Sequence, residues 1–213
     1  MLKENKKTLI LASIITILPI FVGLYFWDRL PEQMGTDFGV NGEVDGYSSK
    51  TFAVLGTPLL FLAVEWFCAF VTANDPKKQN ISPKLFKIIL CIVPIVSLLV
   101  SGLLYSHNLG LNINISNVMG IFLGLLFILI GNMLPKAKHN YTVGIKIPWT
   151  LANEENWNRT HHFAGYIWVI GGIITILLSF NDFTKIIAIL VIPMIIGIIP
   201  CIYSFILHTK YGL

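Results

Sequence analysis

A hydrocarbon core about 30 Å thick is crossed by a helix of roughly 20 apolar residues, and this 213-residue chain holds six such stretches. They are residues 8–27, 52–73, 85–105, 117–134, 163–180 and 184–207. Backbone N–H and C=O groups have no water to bond inside a bilayer, so stretches of this kind must be helical. The expected fold class is therefore all-α: one integral membrane domain over residues 1–213, with six transmembrane helices. The first stretch follows Lys3, Lys6 and Lys7, as the core of a signal peptide would. It is longer than a usual signal core, lacks a small-residue cleavage site and ends in Tyr25-Phe26-Trp27-Asp28, so it reads as a retained helix.

Composition narrows the class further. Hydrophobic residues make up 55% of the chain and charged residues 12%, with a mean hydropathy of +0.74; a soluble domain carries roughly 25% charge. The net charge of +4 is spread over separate loops. A nucleic-acid surface gathers its basic residues into one patch, so no direct nucleic-acid contact is expected. Cys68, Cys91 and Cys201 each lie inside an apolar stretch without metal-ligand spacing, and read as small packing residues.

Lys and Arg near the ends of spans resist translocation and so set orientation. With the N-terminus inside, the inner side holds Lys3, Lys6, Lys7, Lys77, Lys78, Lys84, Lys87, Lys136, Lys138, Lys146, Arg159 and Lys210. The outer side holds only Arg29, Lys50 and Lys185. Both termini are thus expected in the cytoplasm, with residues 28–51 facing out and residues 135–162 facing in. Prolines 19, 58, 94, 193 and 200 lie within spans, where neighbouring helices absorb a lost backbone bond. Gly120 and Gly124 form a small-xxx-small pair on the fourth span, and Gly171-Gly172 thins the fifth. Both suit close helix contact, read here as packing within one monomer rather than a dimer seam.

The two long polar segments carry the composition that a mere connector does not need. The outer one is acidic and contains Asn41-Gly42 and Asp45-Gly46, turn dipeptides that tolerate positive φ. A compact folded loop is expected between helices 1 and 2. Its carboxylates, Asp37 among them, suit a cation or a basic ligand, and equally a solvated acidic surface. In the inner segment Pro148 forces an extended entry, and Asn153 is placed to cap a helix with Glu154 and Glu155 in its first turn. That helix would run straight into the fifth span. It would pair Glu155 with Arg159 at i, i+4, and set Glu154, Trp157, His161 and Ala164 on one face. Trp149 and Trp157 are expected at headgroup level, as indoles prefer.

These residues also carry a resemblance. Gly144-Ile145-Lys146-x-Pro148-Trp149-Thr150-Leu151, followed by Asn153-Glu154, Trp157, Arg159 and His161-His162-Phe163-Ala164, is similar to the signature of the SdpI family of bacterial membrane proteins. Leu30-Pro31, Gly42, Asp45-Gly46 and Ser49-Lys50 resemble the small domain of unknown function that often precedes that signature. The resemblance covers nearly the whole chain. It implies a multi-pass protein of the bacterial cell membrane, in contact with membrane lipid, that confers immunity to a secreted, membrane-active peptide toxin. It also implies a receptor role, in which the occupied protein holds a small cytoplasmic transcriptional repressor at the membrane. On that basis the toxin-facing residues are expected among Pro31, Asp37, Gly42, Asp45 and Lys50. The repressor-facing residues are expected among Lys146, Pro148, Trp149, Thr150, Asn153, Glu154, Trp157, Arg159 and His161, unless that cluster only anchors the fifth span.

Two other function classes bear comparison. For an enzyme, His161-His162 with Glu154 and Glu155 would have to act together. Adjacent helical residues point about 100° apart, whereas helical metal ligands sit at i, i+4. No Ser/Lys, paired-Asp or Cys/His motif lies in a span either, so no catalytic residue, metal or cofactor is expected. For a small transporter or permease, Glu65 is the one ionisable side chain deep in a span, with Asn132 nearer the inner end of the fourth. A carboxyl at that depth is costly and marks either a function or a helix–helix hydrogen bond. No inverted repeat relates the two halves.

Overall fold

A computed structural model describes all 213 residues. Six helices are long and apolar enough to cross a membrane: Lys6–Tyr25, Phe52–Ala73, Pro83–Asn108, Ile115–Lys136, Glu154–Leu178 and Ile187–Tyr211. The order of regular elements is α1 (Lys6–Tyr25), β1 (Gln33–Phe38), β2 (Val44–Ser49), α2 (Thr57–Ala73), α3 (Pro83–Asn108), α4 (Ile115–Met133), α5 (Pro148–Ala152), α6 (Glu154–Leu178) and α7 (Ile192–Tyr211). Single π-helical turns, Phe52–Gly56 and Ile187–Val191, lead into α2 and α7. Each is followed within two residues by a proline, Pro58 or Pro193, whose missing N–H the widened turn accommodates. The chain divides into two compact units, Met1–Asn74 with Ser82–Ile115, and Asp75–Ile81 with Ser116–Leu213.

In the first unit α1, α2 and α3 pack on one another, and hydroxyls tie them together. Ser97 donates to the Thr16 carbonyl at 2.8 Å, and Tyr105 donates to that of Pro19 at 3.1 Å. Gly23 permits the close approach, since a Cβ there would lie 2.6 Å from Val54 and 2.8 Å from the Tyr105 hydroxyl. The segment expected as a folded loop in an all-α chain is an antiparallel β-hairpin. Its tip is formed where Gly42 adopts φ +83°, and the Gly42 amide donates to the Gly39 carbonyl at 2.8 Å. Leu30 and Met34 anchor the hairpin in a core with Ala53, Val54, Leu104 and Tyr105.

In the second unit the glycines form a seam. A Cβ on Gly172 would lie 2.5 Å from the Gly124 carbonyl oxygen, and one on Gly124 2.6 Å from that of Gly172. Gly131 and Gly165 repeat the pattern seven residues on along α4 and seven back along α6, where a Cβ on either would lie 2.9 Å from the other's carbonyl oxygen. The α4–α6 backbones are therefore in contact, and the seam lies within the monomer. Asn156 holds α6 to α7: its side-chain amide donates to the Ser204 carbonyl at 3.1 Å, and its oxygen accepts from the Ser204 hydroxyl at 2.6 Å.

Candidate functional site

The segment from Ala137 to Ile147, ahead of the short helix α5, has no regular structure, so its main-chain polar groups need side-chain partners. Asn140, fully buried, organises the first half. Its oxygen accepts from the Thr142 and Val143 amides at 2.9 and 2.6 Å, and its NH2 donates to the Lys138 and Val143 carbonyls at 2.8 and 3.0 Å. Asp75, also buried, accepts from the Tyr141 amide (2.9 Å), the Thr142 hydroxyl (2.6 Å) and the Lys77 amide (2.7 Å). A carboxylate that would be expensive to bury alone is stabilised by three donors.

Gly144 follows at φ +121°, where a Cβ would come within 2.4 Å of His161 Nε2. The missing side chain lets the loop lie on α6. There the Ile145 amide donates to His161 Nε2 at 2.9 Å, while Nδ1 donates to the Trp157 carbonyl at 2.7 Å. With one nitrogen accepting and the other donating, the imidazole is held as the Nδ1-protonated neutral tautomer. It stacks on the Trp157 indole at 4.0 Å between centroids. Trp157 is fully buried and donates from Nε1 to the Ala137 carbonyl at 2.7 Å. Trp157 therefore shows its indole to neither lipid nor water: a buried indole needs an acceptor for its N–H, and the loop supplies one. Thr150 donates to the Ile145 carbonyl at 2.7 Å and accepts from the Ile147 amide at 3.1 Å. Pro148 opens α5, and the Asn153 oxygen caps α6 by accepting from Glu155 and Asn156 amides at 2.8 and 3.0 Å.

The nine residues expected as a contact set divide by burial. Thr150, Trp157 and His161 are buried and build the loop from within, so they present no surface. Lys146, Pro148, Glu154 and Arg159 are exposed, Asn153 is half-buried as the cap of α6, and Trp149 is half-buried against Phe205 of α7 at 5.0 Å. Glu155 and Arg159 pair at 2.5 Å on that exposed side. Glu154 lies 3.6 Å from His139 and 3.9 Å from Lys77, and the Lys77 ammonium is 2.9 Å from His139 Nδ1. His162 points away from His161 and is exposed, as neighbours on a helix should be.

In the first unit, Pro31, Asp37 and Asp45 are exposed on or beside the hairpin, and Gly42 forms its tip. Lys50 is not free to meet a ligand. It is 5% exposed, pairs with Glu32 at 2.8 Å, donates to the Trp27 carbonyl at 3.2 Å and lies over the Trp27 ring at 5.2 Å. Gly35 is clasped by Asn108, whose side-chain oxygen accepts from its amide at 2.9 Å and whose NH2 donates to its carbonyl at 3.1 Å. Glu65 is 1% exposed in the middle of α2; Ser13 donates to it at 2.9 Å and the Thr16 hydroxyl bonds its other oxygen. Asn132 is exposed on α4 and bonds back to the Ile128 carbonyl at 3.0 Å. Sequence reasoning did not single out Asp75, Asn108, Asn140 or Asn156, because a lone polar residue at a helix end or in a loop carries no spacing signal.

The family model described as SdpI/YfhL protein family matches residues 136–204, the loop just described with α6 and most of α7. A second model, a domain of unknown function (DUF1648), matches residues 14–62, which include the hairpin. The chain is 25% identical over 197 residues to the immunity protein SdpI of Bacillus subtilis (strain 168), covering 91% of each chain. No solved structure matches it. The family-model match, the likeness to SdpI and the six apolar helices together support a multi-pass bacterial membrane protein.

Proposed function

We propose that this chain is an immunity protein against a membrane-active peptide, with the hairpin facing the medium and the loop of residues 137–153 facing the cytoplasm. The observation that carries the reading is that likeness to an immunity protein runs along 91% of both chains rather than through one shared motif. The orientation rests on the twelve-to-three bias of basic residues. It is supported by Lys50 and Lys185, two of the three outer cations, being buried and paired with Glu32 and Asp182. On the cytoplasmic side, Lys146, Pro148, Glu154 and Arg159 form the exposed surface available to a small transcriptional repressor. Buried Trp157, His161, Thr150 and Asn140 hold that surface in shape. Expression in a sensitive host, challenged with a panel of membrane-active peptides, tests the function. The chain should raise the inhibitory concentration of at least one peptide, and an unchanged panel at normal membrane abundance would reject immunity.

A small secondary transporter or permease is the second reading, favoured by one buried carboxyl in a span. The hydroxyls of Ser13 and Thr16 on Glu65 weigh against it, since they give the carboxyl a helix-to-helix bonding role that needs no transport path.

A further inference from the structure

The hairpin has one closed edge and one open edge. The Lys50 amide donates to the Glu32 carbonyl at 2.9 Å, which sets the alternation of the antiparallel ladder. Met34 and Ser48 then exchange hydrogen bonds, while the next pair, Gly35 and Tyr47, turn their main-chain groups outward on opposite sides. On the β1 side Asn108 takes both groups of Gly35, as a third strand would. On the β2 side the alternation turns the Tyr47 N–H and carbonyl away from β1, and no hydrogen bond from a loop or a side chain reaches either. Proteins blunt a free edge with Lys or Pro, and Val44–Ser49 contains neither. Tyr47 is 66% exposed, and its neighbour Gly46 has no side chain to obstruct an approach.

The surroundings specify the charge of a partner. Residues 28–51 carry Asp28, Glu32, Asp37, Glu43 and Asp45 against Arg29 and Lys50, in a chain whose net charge is +4. Lys50 is already paired with Glu32. The Asp37 carboxylate lies across Gly46, where a Cβ would come within 2.5 Å of it, and that of Asp45 lies across Gly39 at 2.8 Å.

We propose that the free edge of β2 receives a short, extended, net-cationic peptide segment as an added strand. Tyr47 supplies the main-chain donor and acceptor, and Asp37 and Asp45 supply the complementary charge. The register irregularity between Gly35 and Phe38 limits the edge to two or three residues of the incoming chain. This inference rests on the peptide-immunity reading and names how the hairpin would meet its peptide.

The test uses the full chain in detergent micelles and a synthetic probe, a blocked Val-Lys-Val-Lys-Val-Lys hexapeptide, with its alternately N-methylated form as control. The hexapeptide should slow hydrogen exchange of the Tyr47 amide about tenfold, and the methylated form should not. Tyr47→Pro removes the outward N–H without touching the Met34–Ser48 bonds, and should abolish binding while the Gly35 amide keeps its Asn108 partner. Asp37→Asn with Asp45→Asn should weaken binding about tenfold. An unprotected Tyr47 amide at saturating hexapeptide overturns the proposal, as does equal protection by the methylated form. A folded Tyr47→Pro variant that binds like the parent overturns it too; should that variant not fold, the methylated control decides. The immunity reading fails separately, in the peptide challenge with the unaltered chain.

Discussion

Replacing Glu65 separates a helix-joining carboxyl from a working proton site. The side chain is 1% exposed and holds two hydroxyls of α1, those of Ser13 and Thr16. Side-chain hydrogen bonds in a bilayer average about 0.6 kcal/mol and reach about 1.7 kcal/mol. Losing both in Glu65→Ala, together with some packing, should destabilise the fold by about 1–3 kcal/mol. Ser and Thr hydroxyls then turn back to their own helix carbonyls, which limits the cost. Glu65→Gln keeps the shape, one acceptor and an NH2 able to donate to a hydroxyl oxygen, and should lose less than about 1 kcal/mol. Unfolding of the purified chain in mixed micelles titrated with sodium dodecyl sulfate reads both. Equal losses for Gln and Ala would refute the hydrogen-bonding role. A folded Glu65→Gln variant that abolishes a proton-dependent flux would move the protein to the transporter class.

Three further outcomes follow from the same contacts. Gly172→Leu should force α4 and α6 apart, because its Cβ meets the Gly124 carbonyl at 2.5 Å; a loss of about 1–3 kcal/mol or more is expected in the same titration. Substituting Lys146 and Arg159 by Gln should leave insertion and peptide resistance intact while releasing a membrane-held repressor, scored by fractionation. Loss of resistance and expression together would make the cluster a fold anchor. With the native cysteines replaced, an impermeant thiol reagent should label Tyr47→Cys on intact cells and Tyr141→Cys only after lysis; the reverse pattern inverts the topology.

Much of the architecture was legible because bilayer thickness and the cost of unpaired backbone leave a six-stretch chain few alternatives. The α6 start was legible too, since Asn153 before Glu154 and Glu155 is a capping pattern that local chemistry alone decides. The β-hairpin was readable only as a folded loop. Its strands are six residues each, and what makes them strands is the apolar anchoring of Leu30 and Met34 and the Asn108 clasp, which no local pattern announces. In the loop before α6, aromatic and charged residues looked alike as surface candidates. Burial separates them: Trp157 and His161 face inward because Ala137 and Ile145 lend them backbone partners, and those partners are brought there by Asp75, Asn140 and the positive φ of Gly144.

Reconstitution tests the immunity claim without the cell. The chain is placed in vesicles loaded with a self-quenched dye, and the peptide that proves active in the host challenge is added outside. Dye release should fall well below that from protein-free vesicles at the same peptide-to-lipid ratio, and the Gly172→Leu variant should not protect. Equal release from vesicles with and without the folded chain would contradict an immunity that resides in this protein.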